Sequence, residues 1–323
     1  MIRPLLASTL AAALLLVTAC GAQTVDDPAP APAGAGYPVT VAHALGAAEI
    51  PAAPARVVTL SSGDTDAALA LGVTPVAVVT SFYAPGPELP WQAGRLGPEV
   101  TAIPGNPDFS VDVEAVAAAR PDLVLGTGAM LTPQTYQALT RIAPVVAHLG
   151  SPTTDRWQDL TAAVGTALGR GDAAGTAIGE TTAAIAAFGD RHPGLRGRTF
   201  TFSVLQSPTT LGTVVSGADH LSVLFGELGL GLPDAVAGRP ESAPGAGIAA
   251  VSTEQLGDLA ADLVLVVAPS PELAESFGAD PRVAGLGSVR TLDMITATAL
   301  RTPSALSLRW GLEQLEPLPA AAG

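Results

Sequence analysis

Two segments of this chain place an acidic pair at one shared spacing. Residues 114–125 read EAVAAARPDLVL and residues 254–265 read EQLGDLAADLVL. In each, a glutamate is followed eight positions later by Asp-Leu-Val-Leu, and a capping residue, Asp112 or Ser252, stands two places before the glutamate. Each segment therefore reads as a capped helix feeding a buried strand. Glu114 and Glu254 fall in the first helical turn, where a carboxylate is stabilised by the helix dipole, typically by about 0.3–1 kcal/mol. The same placement suits a symmetric pair of exposed anchors that arginines of a two-subunit partner would grip by bidentate pairing. The spacing alone leaves both roles open.

Other residues point to binding rather than chemistry. Aromatic residues make up only 4% of the chain, yet Phe82, Tyr83 and Trp91 fall close together in SFYAPGPELPWQAG, a loop beyond an expected strand. Rigid aromatic surface at a strand end is what a ligand cleft in an open α/β sheet uses, the alternative being that one or two of these rings cover the lobe's own core. Arg239, in VAGRPESAPGAG, and Arg301, in TALRTPSALSL, would offset charge on an anionic ligand if they face the cleft, the alternative for each being a solvated loop arginine. Asp64 and Asp66, in SSGDTDAALALG, suggest a metal pair, but Asp64 is better explained as a first-turn residue of the helix that follows. His43, His148, His192 and His220 show no ligand spacing. There is no Gly-x-Ser-x-Gly elbow, no His-Glu-x-x-His and no phosphate loop ending in Lys-Ser/Thr, so no catalytic residue is assigned.

The elements that would position these residues follow from the rest of the chain. Its 323 residues suffice for two lobes with real cores, and 48% hydrophobic content fits a globular protein. The net charge of −14, with arginine as the sole basic residue besides histidine, argues against a nucleic-acid partner. The sole cysteine, Cys20, excludes an intramolecular disulfide. It follows a basic Arg3 and an apolar stretch from Leu5 to Val17, in Val17-Thr18-Ala19-Cys20. That arrangement resembles the lipobox of bacterial lipoproteins, with residues 1–19 as signal peptide and Cys20 as the lipidated residue. Residues 20–36, rich in proline and glycine, read as a tether.

Beyond the tether, short apolar runs alternate with helical patterns. Strands are expected at 55–60, 75–79, 122–126, 144–148, 199–205, 213–216 and 262–267, and helices at 64–71, 112–120, 132–142, 156–168, 219–228 and 252–260. A longer helix over 171–190 carries Ile178, Ile185 and Phe188, with Gly175 and Gly179 each costing roughly 1 kcal/mol relative to alanine. It is placed as a spine. The reading is an α/β fold: two Rossmann-like lobes with mostly parallel sheets, residues 37–170 and 193–323, joined by one long spine helix at 171–192.

Taken collinearly, VTVAHALGAAEIPAAPARVVTL, DAALALGVTPVAVV, Pro90-Trp91, VEAVAAARPDLVLG, YQALTRIAPVV, RWQDLTAAVGTALGR, HPGLRGRTF and SALSLRWGLEQL cover essentially the whole mature chain. In these segments it resembles the iron-siderophore substrate-binding lipoproteins of ABC importers. The resemblance implies two lobes on one rigid helix, a shallow cleft between them and small closure. It implies that Glu114 and Glu254 match the two glutamates that dock on the permease dimer, which works with its ATPase. It also implies a ferric siderophore ligand whose iron is held by the chelator, without a cofactor or metal ligands from the protein. Ligand contacts are expected from Ser62, Phe82, Tyr83, Trp91, Arg239 and Arg301, in a monomer anchored to the membrane by lipid on its extracytoplasmic face. The chain departs from many relatives at Ser61-Ser62-Gly63, where they carry a bulkier residue, and at Arg309-Trp310 in place of a proline–aromatic pair. Within the same fold the alternative ligands are cobalamin and haem. A lipid-anchored chelator sensor without a permease is the alternative from another class.

Overall fold

The computed structural model describes residues 36–316 apart from 83, 85, 87 and 244. Cys20, the segment expected as signal peptide and Tyr83 lie outside the described residues. The chain enters through a hairpin of β1 (Val39–His43) and β2 (Gly46–Ile50), whose Val41, Ala48 and Ile50 are buried against the first lobe. That lobe holds β3 (Val57–Thr59), α1 (Ser62–Ala70), β4 (Ala77–Val79) and β5 (Thr101–Ile103). It continues through α2 (Val113–Ala118), β6 (Leu123–Gly126), α3 (Pro133–Leu139), β7 (Val145–Ala147) and α4 (Trp157–Ala167). Its sheet runs β5-β4-β3-β6-β7 and is parallel throughout. Helices cover both faces, so its central strands are apolar on both sides, as Val57–Val58 and Leu123–Leu125 are.

The helix α5 (Gly171–Arg191) follows. Its buried positions Ala174, Thr181, Ile185 and Phe188 recur at helical spacing. Ala174 packs into the core of the first lobe, whereas Ile185 and Phe188 pack into the core of the second. Gly175 and Gly179 gain no close packing in return for their weak helix propensity, because a Cβ at either would meet nothing. Tertiary burial at both ends therefore holds this helix, and it forms a spine.

The second lobe contains β8 (Phe200–Ser207), β9 (Thr210–Val214), α6 (His220–Glu227), β10 (Ile248–Ser252) and β11 (Ala261–Val267). It ends with α7 (Pro271–Gly278), β12 (Gly287–Leu292), α8 (Met294–Arg301) and α9 (Ser307–Gln314). Its sheet order is β10-β9-β8-β11-β12. Here the sheet is mixed: β8–β11 and β11–β12 are parallel, while β8–β9 and β9–β10 are antiparallel. The reason is local. Only Pro208 and Thr209 separate β8 from β9, too short a connection for a crossover, so the chain turns back as a hairpin.

The repeated segment has a clear structural meaning. Asp112 Oδ1 accepts from Ala115 N at 2.9 Å, and Ser252 Oγ accepts from Glu254 N at 3.2 Å. The shared aspartates start the strands β6 and β11 and tie each to its parallel neighbour. Asp122 accepts the backbone N–H groups of Ala55 and Arg56, both at 2.8 Å, just ahead of β3. Asp262 accepts Thr199 N and Arg198 Nη1, also at 2.8 Å, just ahead of β8. Arg198 and Thr199 hold the Asp262 carboxyl down to about 2. One difference separates the halves: α2 is α-helical, whereas Thr253–Leu259 is a 3-10 helix with a kink at Gln255.

Candidate functional site: an inter-lobe cleft

Strands β3, β4 and β6 carry their C-terminal ends toward one cavity, and β8, α8 and Ile248 at the start of β10 close it from the other lobe. This cleft encloses about 520 Å³, within the usual range for a small-molecule site of roughly 300–1,000 Å³. Its floor on the first lobe is a locked turn. Ser61 caps α1, accepting from Asp64 N at 3.1 Å and donating to Asp64 Oδ2 at 2.6 Å. Asp64 Oδ1 in turn accepts Thr127 N at 2.8 Å and Thr127 Oγ1 at 2.7 Å. Burial pushes the Asp64 carboxyl up against the pull of these donors. A Cβ on Gly128 would lie 2.6 Å from Ser61 Oγ, so the two loops approach this closely only with glycine there. Asp64 and Asp66 belong to separate hydrogen-bond networks, Asp64 with Ser61 and Thr127 and Asp66 with Trp91, Gln92 and Ser304. Among the described residues no cluster of three or more His, Cys, Asp or Glu is arranged to hold a metal.

The wall is apolar and aromatic. Among the described residues the exposed large hydrophobics are Phe82, Phe109, Met130 and Val223, and the first three line the cleft. Phe82 and Phe109 meet edge to face with centroids 5.5 Å apart. Phe109 holds a left-handed φ of 59°, uncommon for a residue with a side chain. The turn around it sustains that conformation: Asn106 Nδ2 donates to Ser110 O, and Ser110 N and Oγ both donate to Asp108 Oδ1. The strained backbone thus presents an exposed phenyl ring to the cleft.

Arg301 is the one charged residue lining the cleft among the described residues. It projects from the last turn of α8, pairs with Asp219 at 3.1 Å and lies 5.9 Å over the Phe202 ring. Ser62 lines the same cleft. The structure thus brings together Ser62, Phe82 and Arg301 of the residues singled out from sequence.

Two expectations are corrected. Trp91 is buried and does not line the cleft. Its indole N–H donates to Asp66 at 2.8 Å, and its ring stacks at a tilt against Trp310 with centroids 5.3 Å apart. Asp66 also accepts Gln92 Nε2 at 2.5 Å and, across the lobes, Ser304 Oγ at 2.6 Å. Trp91 is therefore part of a buried joint between lobes, drawn inward because a buried carboxylate needs its donor. Arg239 is likewise absent from the cleft lining. It donates to Ala235 O at 2.7 Å and forms an ion pair with Asp258, which holds it against its own lobe.

Phe109, Met130, Asn106 and Gln206 line the cleft without having been marked by sequence reasoning. The available signal was turn chemistry: Asn106-Pro-Asp-Phe-Ser surrounds an aromatic with turn-forming residues, a pattern that exposes what it flanks.

Glu114 and Glu254 are both exposed, and neither side chain has a hydrogen bond or ion pair among the described residues. Val111, three positions before Glu114, lines the cleft, and Thr253–Leu259 follows directly on the end of β10. The two carboxylates thus belong to equivalent elements, one per lobe. No helix among the described residues is long and apolar enough to cross a membrane.

Comparison with known proteins agrees with this architecture. The probable siderophore-binding lipoprotein YfiY of Bacillus subtilis is 32% identical over 138 residues, 41% of this chain and 39% of that protein. The match therefore spans less than half the length of that curated relative. A periplasmic solute binding protein from Mycobacterium smegmatis superposes with a TM-score of 0.74 at 26% identity, covering 86% of this chain and 96% of that one. Streptococcus pneumoniae PiaA in complex with ferrichrome gives 0.71 at 23% identity, over 85% and 95% of the two chains, a likeness of fold. The model of the periplasmic binding protein family matches residues 57–299, from the first strand of one lobe into α8 of the other. That span includes most of the cleft lining and stops just short of Arg301, and the chain belongs to the periplasmic binding protein family.

Proposed function

We propose that this protein captures a ferric siderophore in the inter-lobe cleft and delivers it to the permease of an ABC importer, without chemistry on the ligand. The observation that carries this reading is the cleft wall itself: exposed Phe82, Phe109 and Met130 beside Arg301, the one charged residue lining it among the described residues. Such a wall suits a bulky organic shell that already holds its iron. The names of YfiY and of the PiaA–ferrichrome complex support the ligand class. In this reading Ser62, Phe82, Tyr83 and Arg301 touch the chelate, and Glu114 and Glu254 dock on the two permease subunits. Residues 1–19 direct export, Cys20 carries the lipid, and residues 20–36 tether a monomeric body outside the membrane.

Affinity in this account comes from a preformed site. The spine, the Asp66 joint and the Trp91–Trp310 contact fix the lobes in advance, which limits the ordering cost of binding. The test is a fluorescence titration of the mature protein carrying Cys20→Ser, with ferric siderophores, the same chelators without iron, cobalamin and haem. One ferric siderophore is expected to bind saturably at one to one. Phe82→Ala with Phe109→Ala is expected to weaken it by roughly 100-fold, since two aromatic contacts that the ligand would cover are lost. Saturable binding to cobalamin or haem alone would move the ligand to another class.

A further inference from the structure

Resting on the ferric-chelate reading of this cleft, we propose that it selects chelates of zero or low net charge, the tris-hydroxamate class, over polyanionic tris-catecholates, and that the Asp219–Arg301 pair sets that preference. Three singly charged hydroxamates cancel the ferric charge, whereas three doubly charged catecholates leave a trianion. A cleft built for the trianion has to supply several uncompensated cations, because a desolvated charge without partners is strongly unfavourable. This cleft offers Arg301, and its charge is already answered.

The answering carboxylate is built in. Asp219 is only 5% exposed, lies 3.1 Å from Arg301 Nη2, and caps α6 by accepting Leu221 N at 3.0 Å. Gly247, at φ 68°, leaves it room, since a Cβ there would stand 3.3 Å from Asp219 Oδ2. The neighbouring His220 adds no compensating charge near neutrality: burial lowers its pKa, and its Nε2 faces Pro152 O at 3.4 Å. The remaining polar lining is neutral, with Ser62 and Gln206 able to donate to carbonyl and hydroxamate oxygens. The protein's net charge of −14 opposes approach of a polyanion before it reaches the cleft.

The test compares ferrichrome, a neutral tris-hydroxamate, with ferric enterobactin, a tris-catecholate, by competitive titration on the full mature chain. Ferrichrome is expected to bind at least roughly 30-fold more tightly. Asp219→Asn keeps a residue that caps helices well while leaving Arg301 uncompensated, and is expected to narrow that gap by about tenfold. Gln206→Arg, which adds a cation without touching α6, is expected to narrow it in the same direction. Enterobactin binding as tightly as ferrichrome, or a gap unmoved by both variants, overturns the charge argument and leaves the ferric-chelate reading standing. If neither ferric complex binds while haem or cobalamin does, both fall together.

Discussion

Replacing Glu114 and Glu254 together with alanine is expected to abolish uptake while leaving ferric-chelate affinity unchanged. Both carboxylates are exposed and free of hydrogen bonds and ion pairs among the described residues, and neither lines the cleft. Their loss therefore removes little from the folded state beyond a helix-dipole contribution of about 0.3–1 kcal/mol each and, for Glu254, a longer-range attraction to the exposed Arg282. At a docking interface the balance differs. Truncating one member of a desolvated, hydrogen-bonded charge pair costs about 2–5 kcal/mol, because its partner is left buried and alone. Two such losses weaken docking by roughly a thousandfold or more. Uptake of radiolabelled ferric siderophore, measured beside binding by the purified variant, separates the effects. Equal loss of affinity and uptake would contradict the docking role.

The Asp66→Ala variant is expected to lose about 3–5 kcal/mol of stability, much of a typical total of about 5–15 kcal/mol. The carboxylate is buried and accepts three donors: the Trp91 indole, the Gln92 amide and the Ser304 hydroxyl. Alanine leaves all three buried without an acceptor. Because Ser304 comes from the other lobe, the same change loosens the joint on which a preformed cleft depends. Burial pushes the Asp66 carboxyl up to about 7, against its three donors. The folded state then binds a proton more readily than the unfolded chain between roughly pH 4 and 7. The stability this group contributes is full below that window and is lost as pH rises through it. Denaturant unfolding at several pH values tests this: the difference between the wild type and Asp66→Asn should shrink or reverse across the window. A difference independent of pH would mean that Asp66 remains ionised throughout.

Much of this fold was legible because its signals are local. The central strands are continuous apolar runs, and Gly72, Gly169 and Gly229 all take the left-handed conformation expected where a helix ends. The repeated Glu-to-Asp spacing marked equivalent pieces of two lobes because each aspartate has the same task at a strand start. Edge elements were not legible. Thr101–Ile103 is short with one buried residue, and Gly287–Leu292 is largely half-exposed, so neither shows an apolar run. The hairpin Val39–Ile50 is interrupted by His43 and Glu49 and carries no turn signature of Asn-Gly or Asp-Gly type.

The site divides along a similar line. Arg301 and Phe82 were found because a loop aromatic and an arginine in an acidic chain stand out by type. Trp91 stood out equally and was misplaced, because its partner Asp66 lies in a different element and only folding brings them together. Arg239 was misplaced for the same reason, its partner Asp258 being on the far side of β10 in sequence. Met130 gave no signal, since a methionine after a strand is as often core as surface. The positive φ of Phe109 belongs to the backbone and has no composition to betray it.

The most direct test of the cleft as the binding site is hydrogen exchange of the mature protein with and without a saturating ferric siderophore. Protection is expected in segments 60–62, 80–82, 105–111 and 297–302, each of which contributes residues to the cleft lining. The loop around Arg239 and the second cavity at Arg198 and Asp262, on the opposite end of the second lobe's sheet, should exchange as before. Protection centred on that second cavity, with the inter-lobe segments unchanged, would contradict the account.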